Sequence, residues 1–173
     1  MRQPPTNSVF LLALALVAPA ASALPTDRDQ PVQISANSAR FNEKTGIATY
    51  TGAVVIRQGS LEIRADEIVI TTDAKGAMLT TVARGAPARF QQQPDAKKAV
   101  VSAEAARIDY DARSEVITLA GKARLRQEGA SFQGSTITYN SQRQQVDARG
   151  EGPERVMLVL PPQVRDTQKD KKK

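Results

Sequence analysis

Asp66–Glu67, and Asp109 with Asp111, are carboxylate pairs whose type and spacing could support acid/base chemistry, one group giving a proton while the other takes it. Asp66–Glu67 falls where a turn between strands is expected, and successive residues on a strand face opposite ways, so the pair reads as solvated rather than convergent. The chain has no histidine and no cysteine. That removes the usual general base, the usual zinc ligand, the usual pH switch, and any disulfide or thiolate metal site. A serine triad needs histidine, and no Ser-x-x-Lys motif opens a helix. Gly85 and Gly150 sit in expected turns, not in a phosphate-cradling loop between strand and helix. The residues point away from an enzyme, and no metal or cofactor is expected.

The elements that carry these residues have a period of two. Val54 and Ile56, Leu61 and Ile63, then Ile68 and Ile70 alternate with polar neighbours, as half-buried strands do. Breaks such as "NEKTG" (42–46) and "DAKG" (73–76) separate the runs. No window carries an amphipathic helix, so the expected fold class is all-β. The phrase is also written twice. "GAVVIRQGSLEIRADEIVI" (52–70) aligns without a gap with "GKARLRQEGASFQGSTITY" (121–139), an offset of 69. "ISANSARFN" (34–42) matches "VSAEAARID" (101–109) at 67, and "ARG" at 83–85 matches 148–150 at 65. Three blocks in one order describe a duplication, with about eight short strands per unit and about sixteen overall. Such a repeat favours an elongated stack whose units bury their apolar faces against one another.

Residues 1–23 read as a signal peptide, with Arg2, the apolar run Val9–Val17 and the small residues Ala21–Ala23. The run is too short to cross a bilayer. The expected organisation is then a linker at 24–31, the β fold at 32–160 and a disordered basic tail at 161–173, beginning at Pro161–Pro162. Net charge is +6, of which the tail from Arg165 supplies +3. An exported chain whose aromatics do not interleave with basic runs is not a nucleic-acid binder. With no tryptophan, four phenylalanines and three tyrosines, a thin or hollow core is expected.

The apolar stripe is the feature to explain. One unit would present Val32, Ile34, Phe41, Val54, Ile56, Leu61, Ile63, Ile68, Ile70 and Phe90 on one face. The other would add Val101, Ile108, Leu125, Phe132, Ile137, Tyr139, Leu158 and Leu160. These side chains could be ordinary core. They could also line an incompletely closed interior that receives acyl chains, with Arg40, Arg57, Arg64, Arg107 and Arg126 near the rim for anionic head groups. The two ends of the stack, Val32–Ala36 (Val32, Ile34, Ala36) and Val156–Leu160 (Val156, Leu158, Leu160), would leave unpaired strand edges suited to head-to-tail self-association.

"QPVQISANSARFNEKTGIATYTGAVVIRQGSLEIRADEIVI", then "ARGAPARFQQ", "ITLAGKARLRQEG" and "GSTITY", resemble the OstA-like family of periplasmic lipopolysaccharide-transport proteins from Gln30 to Val164. The resemblance implies an OstA-like β-jelly-roll of sixteen antiparallel strands in a twisted V, built from two similar halves. It implies a lipopolysaccharide-binding bridge between the inner and outer membranes, with the lipid A acyl chains in an apolar groove. By position Val32, Ile34 and Phe90 line that groove, with Tyr110 and Leu125 beside them. The N-terminal edge would meet a membrane-anchored, LptC-like partner of the inner-membrane exporter. The C-terminal edge would meet another copy or an LptD-like outer-membrane translocon. The alternative is a non-enzymatic periplasmic scaffold, or a chaperone for outer-membrane proteins.

Overall fold

The computed structural model describes residues 27–93, 98–140, 142–143 and 145–162. The expected signal peptide and residues 163–173 of the expected tail lie outside the described residues. The described residues form ten antiparallel strands: β1 (Gln33–Ser35), β2 (Ser38–Asn42), β3 (Ile47–Gln58), β4 (Leu61–Thr72), β5 (Met78–Gln92), β6 (Val101–Asp111), β7 (Val116–Gln127), β8 (Ala130–Asn140), β9 (Gln145–Arg149) and β10 (Met157–Val159). They make one unclosed sheet in the order β1-β3-β4-β5-β6-β7-β8-β10, with β2 also paired to β3 and β9 to β8.

Among the described residues the strands number ten, not the sixteen expected. Every pairing from β3 to β8 shifts register at the same level of the sheet: at Thr51/Val54, Arg64/Glu67, Arg84/Ala88, Glu104/Arg107 and Ala120/Ala123. These irregularities bend six long strands without ending them, since a bulge bends a strand while leaving its partners on either side. Asp66–Glu67 and Gly85 therefore lie inside β4 and β5 at this line of bends, not in turns between strands. Each bent strand contributes a segment to both sides of the line. One side, the β1 arm, also holds β1 and β10, and the other, the β2 arm, holds β2 and β9. Each arm thus spans eight segments, which is why the sequence pattern counts to sixteen.

The duplication is visible in the backbone. Gly52–Ala53 in β3 and Gly121–Lys122 in β7 each place two successive residues at positive φ, 82° and 46°, then 81° and 51°. The turns at the tip of the β2 arm also match. Asn42 Oδ1 accepts from the Lys44 and Thr45 amides, and Asp111 Oδ1 from those of Arg113 and Ser114. Asp73 and Asn140 close their turns in the same way. A short side chain that accepts the amides ahead of it satisfies the turn locally.

Ile68, Leu119 and Ile137 are completely buried although the described chain is a single sheet. One layer leaves both faces in water, so burial of this degree requires the two arms to close on each other. Their inner faces accordingly share one hydrophobic cluster. Six of its fourteen buried members are alanines, and none is aromatic. The thin core anticipated from composition has this form, with small residues letting the arms approach. Ahead of β1, a 3-10 turn at Asp27–Asp29 docks on the tip of the β1 arm. There Asp27 accepts from the Ser60 amide and hydroxyl, both at 2.7 Å, and from Gln92 Nε2 at 2.9 Å.

Candidate functional site

Strand alternation gives each arm an inner and an outer face, and register links the inner side chains into ladders that cross the whole sheet. On the β1 arm the ladder is Ile34, Ile56, Ile63, Phe90, Ala103, Leu125, Phe132 and Leu158, each opposite the next on its neighbouring strand. Two more cross the β2 arm. Nearest the bend run Ala39, Tyr50, Ile68, Ala83, Ile108, Leu119, Ile137 and Ala148. Farther out run Phe41, Ala48, Ile70, Thr81, Tyr110, Ile117, Tyr139 and Val146. No ladder position carries a charge. At about 4.8 Å per strand, eight segments make a continuous apolar strip of about 34 Å.

The strip is sealed near the bend and open away from it. Of the residues expected to line a groove, Val54, Ile56, Ile68, Val101, Ile108, Leu125 and Ile137 are buried and serve as core. Ile34, Leu61, Ile63, Ile70, Phe90, Tyr110, Phe132 and Tyr139 are half-buried along the opening. Val32, Phe41 and Leu158 are exposed at its ends. Alternation found these positions except Tyr110, which the resemblance supplied, but it missed Tyr50, Ile117, Leu119 and Val146 and the ladder alanines, which only register brings into line. Thr81, polar and buried, also interrupts no ladder, because its hydroxyl donates to Met78 Sδ at 3.2 Å.

The rim arginines are corrected. Arg40, Arg57, Arg64, Arg107 and Arg126 pair opposite Thr49, Glu62, Arg89, Arg84 and Ser131, all outer-face positions. Each is one residue from an inner side chain, and a strand turns such neighbours to opposite faces. Arg107 grips Asp109 through two hydrogen bonds of 2.7 and 2.6 Å, and Arg84 meets Glu67 at 2.7 Å. On the other arm the hydrogen bond from Arg64 leads in holding the Glu62 carboxyl below its usual range; burial opposes it and Arg57 adds to it. Both bridges of Glu62 are short, 2.8 Å to Arg57 and 2.7 Å to Arg64.

Both ends of every ladder stand on strands with one partner. Among the described residues β1 and β2 pair only with β3, and β9 and β10 only with β8. At the C-terminal end five consecutive apolar residues, Val156 to Leu160, are between 44 and 65% exposed.

A family model described as "LptA/(LptD N-terminal domain) LPS transport protein" matches residues 33–145, the span from β1 to the first residue of β9. The chain belongs to this family. It is 36% identical over 140 residues to the lipopolysaccharide export system protein LptH of Pseudomonas aeruginosa, covering 81% of this chain and 80% of that one. To the lipopolysaccharide export system protein LptA of Haemophilus influenzae it is 38% identical over 156 residues, 89% of this chain and 90% of that one. The crystal structure of Pseudomonas aeruginosa LptH, described as the LptA-homologous periplasmic component of the conserved lipopolysaccharide transport device, superposes with a TM-score of 0.72 at 32% identity. That match covers 80% of this chain and 100% of the LptH chain. The unclosed antiparallel β fold of this LptA/LptD N-terminal family member is thus shared with a solved relative.

Proposed function

We propose that this chain is a periplasmic component of a lipopolysaccharide export system, a non-enzymatic carrier that shields acyl chains along its inner face. The three uncharged ladders running from edge to edge carry the reading. An acyl chain laid along their half-buried positions would meet no charge and mostly apolar neighbours, at about 0.8 kcal/mol for each methylene removed from water. The names of the LptH and LptA relatives support the choice of lipopolysaccharide as cargo. Because the ladders end on singly paired strands, strand addition at either edge would lengthen the strip without a polar gap. The β1–β2 edge then suits an LptC-like, membrane-anchored partner, and the β9–β10 edge a second copy or an LptD-like translocon. Together these contacts would bridge the inner and outer membranes.

A photo-crosslinking residue at Phe90, half-buried on the inner face, tests the reading against one at Thr118, on the outer face of β7. Irradiation in cells should give a lipopolysaccharide adduct from Phe90 and none from Thr118. A folded protein that yields no adduct at Phe90, or equal adducts at both, would make the strip ordinary core and favour the scaffold alternative.

A further inference from the structure

The two arms differ on their outer faces. On the β2 arm Arg40, Arg84, Arg107 and Arg149 are offset by Glu67, Asp109, Asp111 and Asp147. On the β1 arm Arg57, Arg64, Arg89, Arg124 and Arg126 face only Glu62 and Glu104. Each of these carboxylates is already shared between two guanidiniums, Glu62 by Arg57 and Arg64, Glu104 by Arg124 at 2.6 Å and Arg89 at 3.7 Å. Arg126 has no ion pair among the described residues, and the buried Arg124 Nε has no acceptor. Arg64, Arg89, Arg124 and Arg126 converge on one hollow of about 260 Å³. On this measure a single water needs about 10–15 Å³, so the hollow has room for far more than one water.

We propose that this hollow on the outer face of the β1 arm is a binding site for a phosphate monoester. The ligand supplies acceptors for Arg126 and for the N–H groups of Arg64, Arg89 and Arg124 that the two shared carboxylates leave over, and guanidinium forks match phosphate oxygens two at a time. Cargo lying on the inner face of the same copy cannot reach this site, because the sheet stands between. The phosphate therefore comes either from a soluble sugar phosphate or from the head group of a lipid presented to the outside of the fold.

The test follows the arginine Nε–H signals of the full chain by NMR at about 0.1 M salt, where screening confines nonspecific attraction to about 10 Å. One arm adds glucosamine 1-phosphate, and the other adds phosphatidylcholine vesicles containing phosphatidic acid. The signals of Arg124 and Arg126 should shift saturably in at least one arm while that of Arg107, held by Asp109, stays put. Response to the sugar phosphate alone identifies a soluble ligand, and response to the vesicles alone a lipid head group. Arg126→Gln, at an exposed position, should keep the fold and weaken binding at least about tenfold, the scale of one charged hydrogen bond. No saturable shift with either probe, or equal shifts at Arg107, overturns the proposal.

Discussion

Asp27 shows at the scale of one residue how the chain ahead of β1 is held. Its two oxygens take hydrogen bonds from both donors of Ser60, in the β3–β4 turn, and from Gln92 at the end of β5. Burial alone would raise its pKa, but the bonds from Ser60 and Gln92 outweigh burial and hold it below the ordinary value. A depressed folded pKa stabilises above the unfolded value of about 3.9 and stops doing so as pH falls through the folded one. Docking of the 3-10 turn should therefore be complete at neutral pH and lost in acid. Asp27→Asn should release it at neutral pH, with the Ser60 amide exchanging at least about tenfold faster. Unchanged exchange at Ser60 would mean that other contacts hold the turn.

Among elements, the bend line decides the fold, and two glycines sit on it for steric reasons. A Cβ on Gly52 would lie 2.5 Å from Asn37 Nδ2, and one on Gly121 2.9 Å from the Ala106 methyl, both with φ above 80°. Gly76 has the same φ of 82° but open space around it. Gly52→Ala and Gly121→Ala should each cost about 1–3 kcal/mol in urea unfolding, and Gly76→Ala about 1 kcal/mol. Equal losses at all three would mean that φ strain, not the close approach, dominates. The same line marks where reading the sequence stopped. The alternation of Val54, Ile56, Ile68 and Ile70 made the inner face legible, because burial on one side of a strand is a local pattern. A glycine and a small neighbour such as Gly52–Ala53 are the local signature of a turn and of a bulge alike, and only pairing with β4 tells them apart. The side taken by Arg57 or Arg126 was legible from Ile56 and Leu125 beside them. That only two carboxylates would face five arginines was not, since Glu104 meets Arg89 and Arg124 only through the pairing of β5, β6 and β7.

For the whole molecule, the exposed edges set what it can join. Leu158 ends the β1-arm ladder, is 49% exposed, and sits on a strand paired only with β8. A lysine on an edge strand discourages further pairing. If copies join head to tail at this edge as proposed, Leu158→Lys should leave the monomer folded and weaken that association at least about tenfold in analytical ultracentrifugation, as burying an unpaired charge costs several kcal/mol. Unchanged association would place the joint elsewhere. The ladders have a further consequence for motion. Each step of about 4.8 Å along the strip exchanges one uncharged contact for another. A greasy passenger would find no deep resting place and no hill between neighbouring positions, only a nearly level track. Sliding along such a track is quick and has no preferred direction, so headway must be imposed from the ends, by whatever loads one edge and empties the other.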